Sequence, residues 1–181
     1  MTGRQSCEIR RLCGFAQSAA TFAVRVLTAL GCRAFVSVTE AWPVTAETAA
    51  SPIAIVRDHV NLTGRNPLYG PNVDAWGVRF PDMSGAYALP AAFEWAQREA
   101  LREVVAAYVV GPVFASALDA SYQRECGCSV AVTRGVPEAV AAVHGGQRAA
   151  TVVLMPSAAG GTVDWTVAAS PLIHLAEVLA Q

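Results

Sequence analysis

Between Ala16 and Leu30 the apolar residues Phe22, Val26, Leu27 and Leu30 recur at helical spacing, and Gly31 stands where a left-handed stop is expected. The spacing predicts a helix that feeds a strand, Ala34 to Val38. A second strand, Ile53 to Val56, follows a loop of Ala, Thr, Glu and Pro that ends at Pro52. Both runs are short and rich in branched apolar residues, as strands buried on both faces are. From His59 to Leu89 no periodicity is sustained, over a length far beyond the usual connection of about 4–6 residues, which marks a functional loop. Helical spacing returns over Pro90 to Val104, with Phe93, Ala96, Ala100, Leu101 and Val104 on one face and Pro90 in the first turn.

The remainder alternates. Strands are expected at Ala107 to Val110, Ser129 to Val132 and Ala149 to Met155, and helices at Ala115 to Cys126, Pro137 to His144 and Pro171 to Ala180. Alternation of this kind predicts an α/β domain with a mixed, mostly parallel sheet flanked by helices. The 181 residues, 54% apolar and 15% charged, suit one domain over 1–181 with a substantial core, residues 1–14 being irregular.

Charge and cysteine usage narrow the partners. The net charge is -1 and the thirteen basic residues, all arginine, are scattered, so a nucleic-acid footprint is not expected. Five cysteines without a C-x-x-C pair suggest neither a disulfide framework nor a zinc site, and point to a reducing cytoplasm. Gln17, Thr21 and Arg25 interrupt the first apolar tract, which therefore reads as a helix rather than a leader, and no run approaches the roughly 20 apolar residues of a membrane span. No cofactor or metal motif is found.

Among chemically capable groups, Asp58-His59 offers an acid–base pair. Glu138 fits a helix start, His144 a helix end, and Cys126 and Cys128 packing. Arg134 offers an always-charged fork for an anion, or for an ion pair with Glu40 or Glu138.

Several segments carry a resemblance. Ile53-Ala54-Ile55-Val56-Arg57-Asp58-His59-Val60-Asn61-Leu62, Asn66-Pro67-Leu68-Tyr69-Gly70-Pro71-Asn72 and Arg79-Phe80-Pro81-Asp82-Met83-Ser84-Gly85-Ala86-Tyr87 resemble, in order and spacing, the central segment of the trimeric purine nucleoside phosphorylases. Thr21 to Val26, Tyr108 to Phe114 and Val136-Pro137-Glu138 extend the similarity from Thr21 to Met155. The resemblance implies a three-layer α/β sandwich, a homotrimer, and a site for a purine nucleoside and phosphate. For Asp58-His59 it implies a structural role instead of an acid–base one, His59 and Asn61 tying the long loop to the sheet. It also implies losses. The family's glycine-rich phosphate turn would precede Met1, its Arg-x-His pair falls near Glu8 and Arg10, and its second phosphate serine falls at Arg134. The domain is thus expected to be truncated at its N-terminus. The Asn-Ala-Ala-Gly run reads Glu40-Ala41-Trp42-Pro43, which places bulk and a carboxylate where the family keeps small residues and an amide. The base-stacking phenylalanine is retained as Phe114, but the base-binding glutamate is Ala115 and the asparagine corresponds to Ser157. Trp76 matches an aromatic that crosses into the neighbouring subunit's site, and His174 lies near the sugar-binding histidine.

These replacements lead to the expectation of a phosphorylase-like scaffold turned to a cyclisation, isomerisation or elimination of a less polar small molecule. Arg134, Glu40 and His174 would be catalytic, with Phe114, Trp42, Trp76, Thr133, Tyr69 and Ser157 around the substrate. The alternatives are a divergent purine nucleoside phosphorylase and a non-catalytic binding protein.

Overall fold

The computed structural model describes residues 19–111, 116–156 and 161–179. Five strands form its centre, and the first of them changes partner along its length. In β1 (Ala34–Pro43) the first seven residues pair in parallel with β5 (Arg148–Leu154), and the last three run antiparallel to β4 (Val130–Val132). In β2 (Ile53–Asn61) the first four residues run antiparallel to β5 on one edge, while Ala54 to Asn61 follow β3 (Arg102–Tyr108) in parallel on the other, with a bulge between Val56 and Asp58. With β3 parallel to β4, the order β1-β4-β3-β2-β5 closes on itself as a barrel. Three of the five pairings are parallel, as the mixed, mostly parallel sheet expected from the sequence requires. Closure adds what the linear pattern does not contain: the ladder has no first or last strand.

Helices cover the barrel in two groups. On one side α1 (Ala19–Ala29) packs on α5 (Val136–His144), and Val24, Ala139 and Ala142 join Ala54, Val56, Val130 and Val153 in one core cluster. On the other, α3 (Pro90–Arg98) packs on α6 (Trp165–Leu179), where Trp95 and Leu175 meet Ile55, Val152 and Leu154. Alternate residues of Ile53–Val56 and of Ala149–Leu154 thus enter different clusters, so these stretches are buried on both faces and are almost wholly apolar. Two further helices are α2 (Ala46–Ala49), a single turn with Thr45 as its cap, and α4 (Ala117–Glu125), where Ser116 and Asp119 form a reciprocal capping box.

Several boundaries differ from the sequence expectation. Helix α3 stops at Arg98 because Ala100 takes a positive φ of 54° and Leu101 N–H bonds back to the Ala96 carbonyl at 2.8 Å. Of the apolar positions that extended the helical pattern, Ala100 and Leu101 lie in the turn and Val104 in β3, which starts five residues before the expected Ala107. Helix α6 begins at Trp165, so Pro171 lies within it rather than at its start. Asp164 supplies the start signal, its carboxylate accepting from the Thr166 N–H at 2.9 Å.

Candidate functional site

Strand pairing brings four of the expected site residues together. β4 ends at Val132, so Thr133 and Arg134 leave the barrel at the level where Tyr108 ends β3. Opposite them, the pairing of Ala41 with Val132 sets Glu40 and Trp42 on either side. Thr133 and Trp42 are half-buried, while Glu40 and Arg134 are exposed. Among the described residues Arg134 forms no ion pair with Glu40 or Glu138, since the ion pair there joins His174 to Glu99. Gly111 passes so close to Thr133 that a Cβ would lie 2.9 Å from its Cγ2. Gly111 thus lies at the same mouth; Phe114 and Ser157 lie outside the described residues.

Gly135 then turns the chain into α5 at φ +90°, packed against Thr151 and Thr39, and its N–H donates to the Glu138 carboxylate at 2.8 Å. Glu138 is thereby held by the helix start, the structural role favoured from the sequence.

The long loop after β2 borders a cavity beside this mouth. Asn61 ties the loop down, its amide donating to the Arg65 carbonyl at 2.8 Å and its carbonyl oxygen accepting from Thr63. Leu62 N–H reaches the Tyr108 carbonyl at 2.9 Å. Between loop and barrel lies the cavity, of about 360 Å³, lined by Arg65, Asn66, Pro67, Tyr69, Tyr108 and Pro137. The Tyr108 phenol is pushed above its ordinary pKa by burial and then by the nearby charge of Glu138, with Arg65 acting the other way. The cavity adjoins the mouth through Tyr108, which pairs with Val132, while Glu40, Trp42, Thr133 and Arg134 stand outside its lining.

His59 also has a structural setting. Its Nδ1 meets the buried Tyr87 hydroxyl at 3.0 Å, and burial lowers its pKa against the pull of Asp58. Asp58 is itself engaged, accepting from the His59 backbone N–H at 2.7 Å. Cys128 is buried, with its thiol raised to about 11 chiefly by burial, which suits packing.

The structure does not bring His174 to this mouth. Its Nδ1 lies 2.7 Å from Glu99 Oε1, next to the start of β3, and β3 separates that level from the mouth by about 20 Å. Trp76 sits elsewhere again, its ring 5.0 Å from the Arg25 guanidinium.

A second polar cluster went unread in the sequence. Arg25, 7% exposed on α1, donates to His144 Nδ1 at 2.8 Å and to the Ala141 carbonyl at 3.3 Å. His144 Nε2 in turn meets Asn72 Oδ1 at 3.3 Å, so His144 is a buried bridge rather than a residue on the helix dipole. Burial and then Arg25 lower its pKa to about 4. The available signal was an arginine among the apolar positions of α1. Among the described residues no cluster of His, Cys, Asp or Glu is arranged to hold a metal, and no helix is long and apolar enough to cross a membrane.

Comparison with known proteins settles the lineage. The family model of the phosphorylase superfamily matches residues 1–169. Purine nucleoside phosphorylase 1 of Bacillus subtilis is 34% identical over 89% of this chain and 59% of its own length. Purine nucleoside phosphorylase of Mus musculus is 33% identical over 75% of this chain and 50% of its own. Among solved structures, Schistosoma purine nucleoside phosphorylase in complex with guanosine superposes with a TM-score of 0.71 at 25% identity, covering 80% of this chain and 56% of that one. The chain spans half to three-fifths of the length of these relatives. They overturn the expectation of a cyclase, isomerase or lyase, which was drawn from replaced residues alone: replacement at a few positions signals divergence and carries no information about a new reaction. The chain belongs to the phosphorylase superfamily, alongside its purine nucleoside phosphorylases.

Proposed function

We propose that the chain carries the site of a divergent purine nucleoside phosphorylase, converting a purine nucleoside and phosphate to the free base and pentose 1-phosphate. The observation that carries this reading is the convergence at one mouth of the β4 exit with Thr133 and Arg134, the Gly111 turn that leads to Phe114, and Glu40 and Trp42 of β1. Identity to purine nucleoside phosphorylases over most of the chain supports it.

In this reading a phosphate oxygen forms a bond to the pentose C1′ as the C1′–N9 bond breaks, and the electron pair departs with the base, which takes a proton from solvent. Arg134 holds the phosphate through its planar fork, at the position where the family has a serine. Glu40 accepts from pentose hydroxyls, and Phe114 and Trp42 offer apolar faces to the base, with Ser157 at its polar edge. Tyr69 and Tyr108 close the loop side, and Trp76 remains the candidate contribution to a neighbouring subunit of a homotrimer.

The test is phosphate-dependent release of hypoxanthine from inosine and guanine from guanosine by the purified protein. Arg134→Ala is expected to lower kcat/KM about 100-fold, with partial recovery in Arg134→Lys. Base release that is absent, or that proceeds equally without phosphate, would overturn the proposal.

A further inference from the structure

Arg25 lies on α1, His144 at the end of α5 and Asn72 on the long loop, yet they form one chain of bonds. The arginine can only donate, so His144 Nδ1 accepts and its proton sits on Nε2, where it donates to Asn72 Oδ1. That fixes the Asn72 amide, whose nitrogen donates to Asp74 Oδ1 at 2.8 Å and to the Gly77 carbonyl at 3.1 Å. Every polar group in the relay therefore has one consistent role. Two further contacts press the loop onto the same spot: the Trp76 ring over Arg25, and Gly77, whose backbone touches the His144 carbonyl so closely that no side chain fits.

The loop segment between Asn66 and Asn72 is a partition. Pro67 and Tyr69 line the 360 Å³ cavity on one side, and on the other they line a narrow crevice of about 20 Å³ with Arg25, Asn72, Trp76 and His144. With so little free volume behind it, the wall stands where the relay puts it.

We infer that Arg25, His144 and Asn72 are positioning residues that hold the Asn66–Tyr69 wall of the substrate cavity from behind. The part of this inference that concerns substrate rests on the nucleoside reading above; the anchoring itself does not. Asn72 is the residue to change first, because it sits on the loop and its loss leaves the helices intact, whereas loss of the buried Arg25 would threaten the fold.

The chain has no lysine, so trypsin must cut at arginine, and Arg65 and Arg79 bracket the anchored segment. In Asn72→Ala and His144→Ala, cleavage after these two residues is expected to accelerate about tenfold or more without a matching fall in the urea midpoint. KM for inosine is expected to rise about fivefold while kcat stays within about twofold. His144→Gln, which can accept from Arg25 and donate to Asn72, should recover most of both effects. Unchanged cleavage in both alanine variants would overturn the inference, whatever the turnover. So would faster cleavage with KM unmoved, which would leave a tethered loop with no bearing on substrate. Absence of phosphorolysis by the wild type, with cleavage accelerated as expected, would sink the nucleoside reading alone and leave the anchoring upheld.

Discussion

Gly135 shows how tightly single residues define the mouth. Its φ of +90° is a conformation that side chains disfavour, and an added Cβ would lie 2.9 Å from Thr151 Cγ2 and 3.3 Å from Thr39 Cγ2, both in the barrel wall. Gly135→Ala is therefore expected to lose roughly 2–4 kcal/mol, from backbone strain and overpacking together, read as a fall in the urea midpoint with an unchanged slope. A loss below about 0.5 kcal/mol would mean that the turn relaxes freely. At this scale the family resemblance pointed to Glu40, Trp42 and Arg134, and these lie at one level with Thr133 because β1 and β4 pair there. The sequence did not show the bond between Arg25 and His144, whose partners are 119 positions apart and share no local pattern. Nor did it separate His174 from the site, because membership depended on which side of the barrel α6 covers.

Elements were legible where their signals were local and ambiguous where two periods fit the same residues. Ala96, Ala100 and Val104 satisfy a helix, while Val104 and Ala106, buried alternately in β3, satisfy a strand. The decision falls at Ala100, which ends α3 in the left-handed region without being glycine. Ala100→Gly removes that strain but adds chain entropy to the unfolded state, so the expected net gain is up to about 1 kcal/mol, seen as a higher urea midpoint. A loss of stability would show that the methyl group contributes packing that outweighs its strain. Elsewhere the local code sufficed: α5 opens with Val136-Pro137-Glu138 and ends before Gly145-Gly146, within a residue of expectation. The early start of α6 was hidden because Pro171 imitates a first-turn proline, while the working signal, Asp164 two residues before Thr166, is weaker in sequence.

For the whole molecule, acid sensitivity follows from where the barrel puts its histidines. His144 lies between α5, α1 and the loop, facing Arg25 directly and Asp74 through Asn72; His59 lies on β2 itself, facing Tyr87 with Asp58 beside it. Both are held neutral by burial, His144 with its pKa lowered to about 4 from 6.5 and His59 shifted in the same direction. Below pH 6.5 the unfolded chain binds protons that the folded chain refuses, so the stabilisation is fully present above that value and is lost as pH falls toward 4. A net charge of -1 at neutrality adds little self-repulsion there. Further down, Asp82, Asp119 and Asp164, kept low by hydrogen bonds from neighbouring Ser and Thr, begin to protonate and release their turns. The expected profile is a plateau above about pH 7, a first decline between 6.5 and 4 belonging to the histidines, and a second below 4. Urea midpoints measured across this range for the wild type, His144→Gln and His59→Gln separate the contributions, since each replacement should flatten part of the first decline and leave the second untouched. A wild-type midpoint constant from pH 7 to 4.5 would mean that both rings take up protons without cost. The relay behind the cavity wall would then have to survive a charged His144 facing Arg25, which its bonding pattern does not allow.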